Sequence, residues 1–127
     1  MNQTNTKGLK HGPWETHHHN NNLRFKGDFN NGLKHGLWTE YSENSQIRNI
    51  GHFINGSQEG LWEWFYRNSN QLWVKGNFIN NKKQGQWEYY HENNQIDAIG
   101  SYLNSERHGI WEEYFDNGTL SKIEFYI

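Results

Sequence analysis

Apolar and polar positions alternate in short runs along the whole chain. Each run is separated from the next by Asn, Ser and Gly. Period-two alternation between turn residues marks β-strands with one face in and one face out. Tryptophan sets a longer period. Trp14, Trp38, Trp62, Trp87 and Trp111 lie 24 or 25 residues apart. Gly12, Gly36, Gly60, Gly85 and Gly109 keep step two residues earlier, and His17, Tyr41, Phe65, Tyr90 and Tyr114 three residues later. An aliphatic residue follows at Leu23, Ile47, Leu72, Ile96 and Leu120. Then comes Gly-x-aromatic at Gly27/Phe29, Gly51/Phe53, Gly76/Phe78 and Gly100/Tyr102. Self-similarity at such a period signals tandem structural repeats. Residues 8–127 read as one repeat domain of five units, and residues 1–7 as a flexible N-terminus.

Each unit reads as a β-hairpin. With Asn44-Ser45 as a two-residue turn, Trp38 falls opposite Gly51. Asn20-Asn21 likewise sets Trp14 opposite Gly27, and Asn93-Asn94 sets Trp87 opposite Gly100. The one-residue insertion falls in the turn Asn68-Ser69-Asn70, so Trp62 still meets Gly76. The last turn is Asn117-Gly118. Asn and Gly suit type I′ turns, whose two central residues need positive φ. A ring lying over the bare glycine of its own hairpin explains the pairing. Further turns at Asn31-Gly32 and Asn55-Gly56 link the hairpins and bring Gly27 near Gly36 and Gly51 near Gly60. The expected fold is all-β: one twisted antiparallel meander of about ten strands, with Trp, Leu/Ile, Gly and Phe/Tyr repeating on one face.

The stretch "GLWTEYSENSQIRNIGHFINGSQEGLWEWF" resembles the MORN-type repeat, and more narrowly the variant G-x-W-x-x-Y-x-x-N-G-x-L-x-x-x-G-x-[FY]-x-[ND]-G. Bacterial proteins of that type are often described as YwqK-family antitoxins. The resemblance implies an elongated twisted sheet of hairpins. It implies protein binding or, for other MORN proteins, a membrane-associated scaffold. In the last unit Glu124 stands opposite Trp111 where the pattern has glycine.

Composition adds limits. Only 32% of residues are apolar yet 17% are aromatic, and mean hydropathy is -1.16. Disordered chains are poor in aromatics, so a thin core of large rings is expected. Net charge is -2, which gives no general attraction to nucleic acid. There is no cysteine for disulfides or thiol chemistry. No apolar run approaches transmembrane length and "MNQTNTKG" lacks a signal-peptide core, so the expected location is the cytoplasm.

No motif calls for catalysis, a cofactor or a metal. The "HHHNNN" run enters a turn with no carboxylate or thiol at ligand spacing. His11, His35 and His108 share one repeat position, which suggests an architectural role. Glu15, Glu63, Glu88 and Glu112 share another. There Glu15 would face Lys26 and Glu63 would face Lys75 as cross-strand charge pairs. Lys10, Lys34, Lys83 and Arg107 share a position in the link loops, with Gln58 as the gap. They read as a solvated loop edge or as a strip for an anionic ligand.

The second face changes along the chain. It carries Glu15, His17, Arg24, Lys26 and Asp28 in the first unit. Later it carries Ile50, Phe65, Trp73, Ile79, Tyr90, Ile99, Leu103, Tyr114, Ile123 and Phe125. An apolar second face on a single sheet folds into the protein's own core or marks a contact. The candidate partner-binding residues are Phe65, Trp73, Tyr90, Ile99, Tyr114, Ile123 and Phe125. The expected function is non-catalytic: a module that grips and inhibits a partner protein of toxin or nuclease type. It would be antitoxin-like, or a phage- or mobile-element-encoded inhibitor such as an anti-CRISPR. A scaffold on acidic lipid and a carbohydrate or peptide binder are the alternatives. The terminal strand's free edge is a second candidate contact, for a homodimer or a target.

Overall fold

The computed structural model describes residues 2–67 and 69–127. Among them, eleven strands form one antiparallel sheet in chain order. They are β1 (Gln3–Thr4), β2 (Lys10–His17), β3 (Leu23–Asn30), β4 (Leu33–Tyr41), β5 (Ile47–Ile54), β6 (Ser57–Phe65), β7 (Leu72–Ile79), β8 (Lys82–Tyr90), β9 (Ile96–Leu103), β10 (Glu106–Tyr114) and β11 (Leu120–Tyr126). The described residues include no helix. The hairpin pairings are those expected: Trp14 with Gly27, Trp38 with Gly51, Trp62 with Gly76, Trp87 with Gly100, and Trp111 with Glu124.

The hairpin turns differ from the expected assignment, while the link turns keep it. The hairpin loops hold three residues, not two. In the first, Asn21 donates to the His18 carbonyl at 2.9 Å and His18 donates to the Asn22 carbonyl at 2.8 Å. Only the third loop residue is left-handed: Asn21, Ser45, Asn94 or Gly118. A bulge beside the loop, such as that between Glu40 and Tyr41, absorbs the extra residue. The deep register is therefore the same as for a two-residue turn. Asparagine precedes the left-handed residue for another reason. The side chains of Asn20, Asn93 and Asn117 accept the backbone N–H two residues on, at 2.9–3.0 Å, closing a local turn. In the longer third loop Ser69 does the same for Gln71 at 2.9 Å. Asn68 of that expected turn lies outside the described residues. The true two-residue turns are the links. Asn31-Gly32, Asn55-Gly56, Asn80-Asn81 and Asn104-Ser105 have positive φ at both central positions, the type I′ signature. The fourth link therefore keeps its shape without Asn-Gly.

The ring over each glycine belongs to the following unit. A Cβ at Gly27 would overlap the indole of Trp38, at Gly51 that of Trp62, at Gly76 that of Trp87 and at Gly100 that of Trp111. This corrects the expectation that each ring covers its own hairpin's glycine. The cause is a wide bulge in the links. Lys26 pairs with Thr39 but Asp28 pairs with His35. Gly36, at φ 82°, and Leu37 lie within the gap. The same gap recurs between Gly51 and His52, between Lys75 and Asn77, and between His108 and Glu112. It brings each indole across the preceding strand. There the Nε1–H donates to the carbonyl just after the glycine: Trp38 to Asp28 at 2.9 Å, Trp62 to His52 at 3.1 Å, Trp87 to Asn77 at 3.2 Å and Trp111 to Ser101 at 2.9 Å. The expectation of Gly27 beside Gly36 gives way to Gly27 beside Trp38.

Between these indoles stand Phe29, Phe53, Phe78 and Tyr102, edge-on to the neighbouring rings at 5.0–6.4 Å. Such geometry is favourable beyond area burial. Every buried apolar side chain lies on this face: Trp38, Trp62, Val74, Phe78, Trp87, Ala98 and Trp111. Trp64 thickens the row, 5.9 Å from Trp62 and 5.8 Å from Trp87. The aliphatic position was expected here too. However, the bulge beside each hairpin loop turns Ile47 toward Thr39 and Ile50, and Ile96 toward Ile99 and Glu112, on the second face.

Both ends of the sheet depart from the repeat. Gln3–Thr4, in the segment expected to be a flexible lead-in, pairs with Lys10 and His11. The Asn2 side chain donates to the Glu15 carbonyl and accepts the Glu15 N–H, both at 2.7 Å. At the other end, Glu124 is the one residue of the glycine series over which no indole lies among the described residues. A side chain there displaces no indole, and the glycine is not needed.

Gly51→Val and Gly76→Val place branched side chains inside the indoles of Trp62 and Trp87. Each should cost about 1–3 kcal/mol or more, read as a lower midpoint in thermal circular dichroism. Glu124→Gly should cost less than either valine change, about 0.5–1 kcal/mol, because it loses the contacts to Lys122 and Tyr126 and puts glycine in a strand but displaces no indole.

Candidate functional site

The basic residues expected in the link loops are instead on strands, above the aromatic row. Lys10 Nζ lies 5.0 Å from the Trp14 ring centre and 5.1 Å from Phe29. Lys34 lies 4.8 Å from Trp38 and 5.2 Å from Phe53. Lys83 lies 5.0 Å from Trp87 and 4.9 Å from Tyr102. The Arg107 guanidinium lies 4.3 Å from Trp111 and 5.6 Å from Tyr126. A cation four residues before Trp on a strand shares its face, so each charge caps the rings of its own core. This row is a structural feature of the repeat, and its charges are directed at rings.

The shared histidine position also serves the stack. His11 and His35 accept the backbone N–H of Asn31 and Asn55 through Nδ1, at 3.3 and 3.2 Å. Glu59 and Gln84 take the same role toward Asn80 and Asn104, at 2.8 and 3.2 Å. Successive link turns are joined as well: Gly32 to the Lys10 carbonyl and Gly56 to Lys34, both at 2.8 Å. In the histidine run, His18 Nε2 meets the Tyr41 carbonyl at 2.9 Å. His17 lies 3.9 Å from Glu15 and His19 lies 4.0 Å from Glu43. His91 repeats the bridge to Tyr114 at 2.8 Å.

The candidate partner-binding residues do share the second face. Down its middle the register runs Glu63, Lys75, Glu88, Ile99, Glu112, Ile123 across β6 to β11. The ion pair formed is Lys75 with Glu88, at 3.6 Å, across the link and not within the hairpin. Phe65, Tyr90 and Tyr114 are half-buried beside the loop bulges. The Tyr90 and Tyr114 hydroxyls donate to Glu88 and Glu112, at 3.2 and 2.8 Å. Trp73 is 45% exposed and packs against Tyr66, ring centres 5.9 Å apart. Ile99 and Tyr114 line a shallow depression of about 430 Å³ with Gln95, Ile96 and Glu112. Farther out, Ile110, Ile123 and Phe125 are 60%, 58% and 71% exposed. Ile110 was not expected there. Its pairing with Phe125 is readable by the same arithmetic that paired Trp111 with Glu124. A separate open groove of about 670 Å³, lined by Arg48, Arg67, His18 and Glu43, lies along the hairpin loops of the first three units. Among the described residues, no three His, Cys, Asp or Glu side chains cluster as metal ligands.

The tyrosines respond to their surroundings. Burial, reinforced by the 2.8 Å hydroxyl contact with Tyr102, pushes the Tyr89 phenol well above its ordinary value of 10.0. Burial first, then Asp97 and Glu92, raises Tyr66; burial first, then Glu88, raises Tyr90. A raised folded-state value contributes stability that is fully present below the unfolded value and is lost as pH rises through the folded one. The melting temperature should therefore drop as pH is raised past about 10. Tyr89→Phe should lessen that drop, as followed by circular dichroism. Lys83→Ala should cost about 0.5–2 kcal/mol in the same melts, with Lys83→Arg recovering most of it.

The family model for the MORN repeat variant matches residues 10–31, 34–55, 83–104 and 107–127, more than half of the chain. No curated protein matches the chain. The stretch between the second and third matched segments holds the longer hairpin loop, yet it keeps the Trp62–Gly76 pairing and the indole of Trp62 over Gly51. With the matched segments coinciding with the stacked hairpins of the sheet, the chain belongs to the MORN repeat variant family.

Proposed function

We propose that the protein is a non-catalytic binding module that grips a partner protein through the second face of its C-terminal half and inhibits it, in the manner of an antitoxin or of a mobile-element inhibitor of a defence nuclease. One observation carries this reading. Among the described residues the tryptophan face holds the buried apolar side chains, while the opposite face leaves Leu37 and Leu61 uncovered in the earlier units and Trp73, Ile110, Ile123 and Phe125 in the later ones, where the aromatic ones gather. Exposed apolar side chains gathered on one face and interleaved with charges suit an interaction surface. Aromatic side chains suit the centre of such a contact. The carboxylates of Glu63, Glu88 and Glu112 run along the same face with Lys75 as the cation between them, which favours a partner with a basic surface. The scaffold reading on acidic lipid would rest on the basic row, and each of those cations lies over rings of the protein's own core.

The test is affinity capture from the host lysate with mass spectrometry, run on three proteins: the parent, a Trp73→Asp/Ile99→Asp variant, and a Leu33→Asp control, whose exposed site lies on β4. The expected result is a partner held by the parent and the control and lost by the face variant, with circular dichroism showing all three folded. A partner captured equally by all three places the contact elsewhere. Binding to anionic vesicles and not to protein would replace this reading with the scaffold one.

A further inference from the structure

β11 is paired on one side only, with β10. The bulge at the last hairpin leaves Ser121 out of the ladder, since Glu113 pairs with Lys122 and Tyr114 with Leu120. From Lys122 to Tyr126 the strand then runs without interruption. Lys122 and Glu124 share the tryptophan face and form an ion pair with each other. The Tyr126 hydroxyl donates to Glu124 at 2.7 Å. Ile123 and Phe125 stand on the other face, well exposed. Such an edge offers its free N–H and C=O groups to another strand.

The side chains say which strand fits. A second copy brought alongside by a two-fold axis normal to the sheet keeps both tryptophan faces on one side. Opposed residues then have the same parity. With the axis at residue 122, Lys122 faces Lys122 of the second copy. With the axis at residue 124, Glu124 faces Glu124. Like charges directly opposite are destabilising. With the axis at Ile123, Lys122 faces Glu124 of the second copy and Glu124 faces its Lys122. Ile123 then meets Ile123 on the apolar side, and Ser121, bulged out of the ladder with β10, falls opposite Phe125 at the rim of the overlap. We propose that two copies of this chain pair antiparallel through β11 in the register centred on Ile123, which continues one sheet and both apolar second faces across the axis. The contact uses the strand edge and the two charges on the tryptophan face; it adjoins the partner surface at Ile123 and Phe125 but leaves Trp73 on β7 and Ile99 on β9 free of it.

The experiment is a charge exchange read by multi-angle light scattering over a concentration series, with circular dichroism to show that each variant folds. The parent should run at twice its 15.3 kDa mass and dissociate on dilution. Lys122→Glu alone and Glu124→Lys alone should each weaken the dimer at least tenfold, because each leaves like charges opposed. Carrying both changes should restore it. Mixing the two single variants should give a heterodimer, since every opposed pair is then opposite in sign. A parent that stays monomeric at its highest soluble concentration would overturn the proposal. So would single variants that dimerise like the parent, or a mixture that does not associate.

Discussion

The fold rests on one contact made repeatedly: an indole of one hairpin laid over a glycine of the hairpin before it. The glycine must be bare because any Cβ would occupy the ring's place. The indole N–H then claims the next carbonyl along, at the point where the bulged link interrupts the ladder. Without the bulge the ring could not cross the preceding strand. Without the ring the bulge would leave a polar group wanting a partner, and unmet backbone groups are costly when buried. The contact therefore joins sequence period, link geometry and core packing in a single constraint.

Because the contact runs between units, the protein is a chain of nearest-neighbour couplings, as in other repeat proteins. The edge-to-face contacts of Phe53 with Trp62 and of Phe78 with Trp87, and the stacked link turns, act across the same junctions, while each cation bridges the two rings of one hairpin. One consequence is a core confined to one face. The other face is released from packing duties: it carries exposed aliphatic residues from Leu37 onward and gains the exposed aromatic residues Trp73 and Phe125 in the later units.

Much of this was legible from the spacing of Trp and Gly. The hairpin register was readable because a three-residue loop with a one-residue bulge gives the same deep pairing as a two-residue loop. The hairpin turn types were misassigned for the same reason, since Asn serves both as a side-chain acceptor and as a left-handed residue. The direction of each ring was not readable from pairing alone: Gly51 has Trp38 on one side and Trp62 on the other. One residue did carry the answer. Glu124 sits opposite Trp111, which a rule of one glycine per own-hairpin ring cannot accommodate. The cation row was legible in principle from the even spacing of Lys34 to Trp38 and Lys83 to Trp87. Alternation placed the mid-strand residues of the second face, because strand parity survives errors in loop type, but it missed Ile47 and Ile96, which the bulge beside the loop turns over.

The direct test of the central contact is a pair of double-mutant cycles on Gly76, using stability from chemical denaturation. One cycle combines Gly76→Ala with Trp87→Ala, the other combines it with Trp62→Ala. Residues in contact show interaction energies of about 0.5–3 kcal/mol, whereas uncoupled sites add to within about 0.3–0.5 kcal/mol. The structure predicts strong non-additivity with Trp87, because removing that ring opens room for the new methyl group, and near-additivity with Trp62. The opposite pattern, with coupling to Trp62 and none to Trp87, would contradict the account.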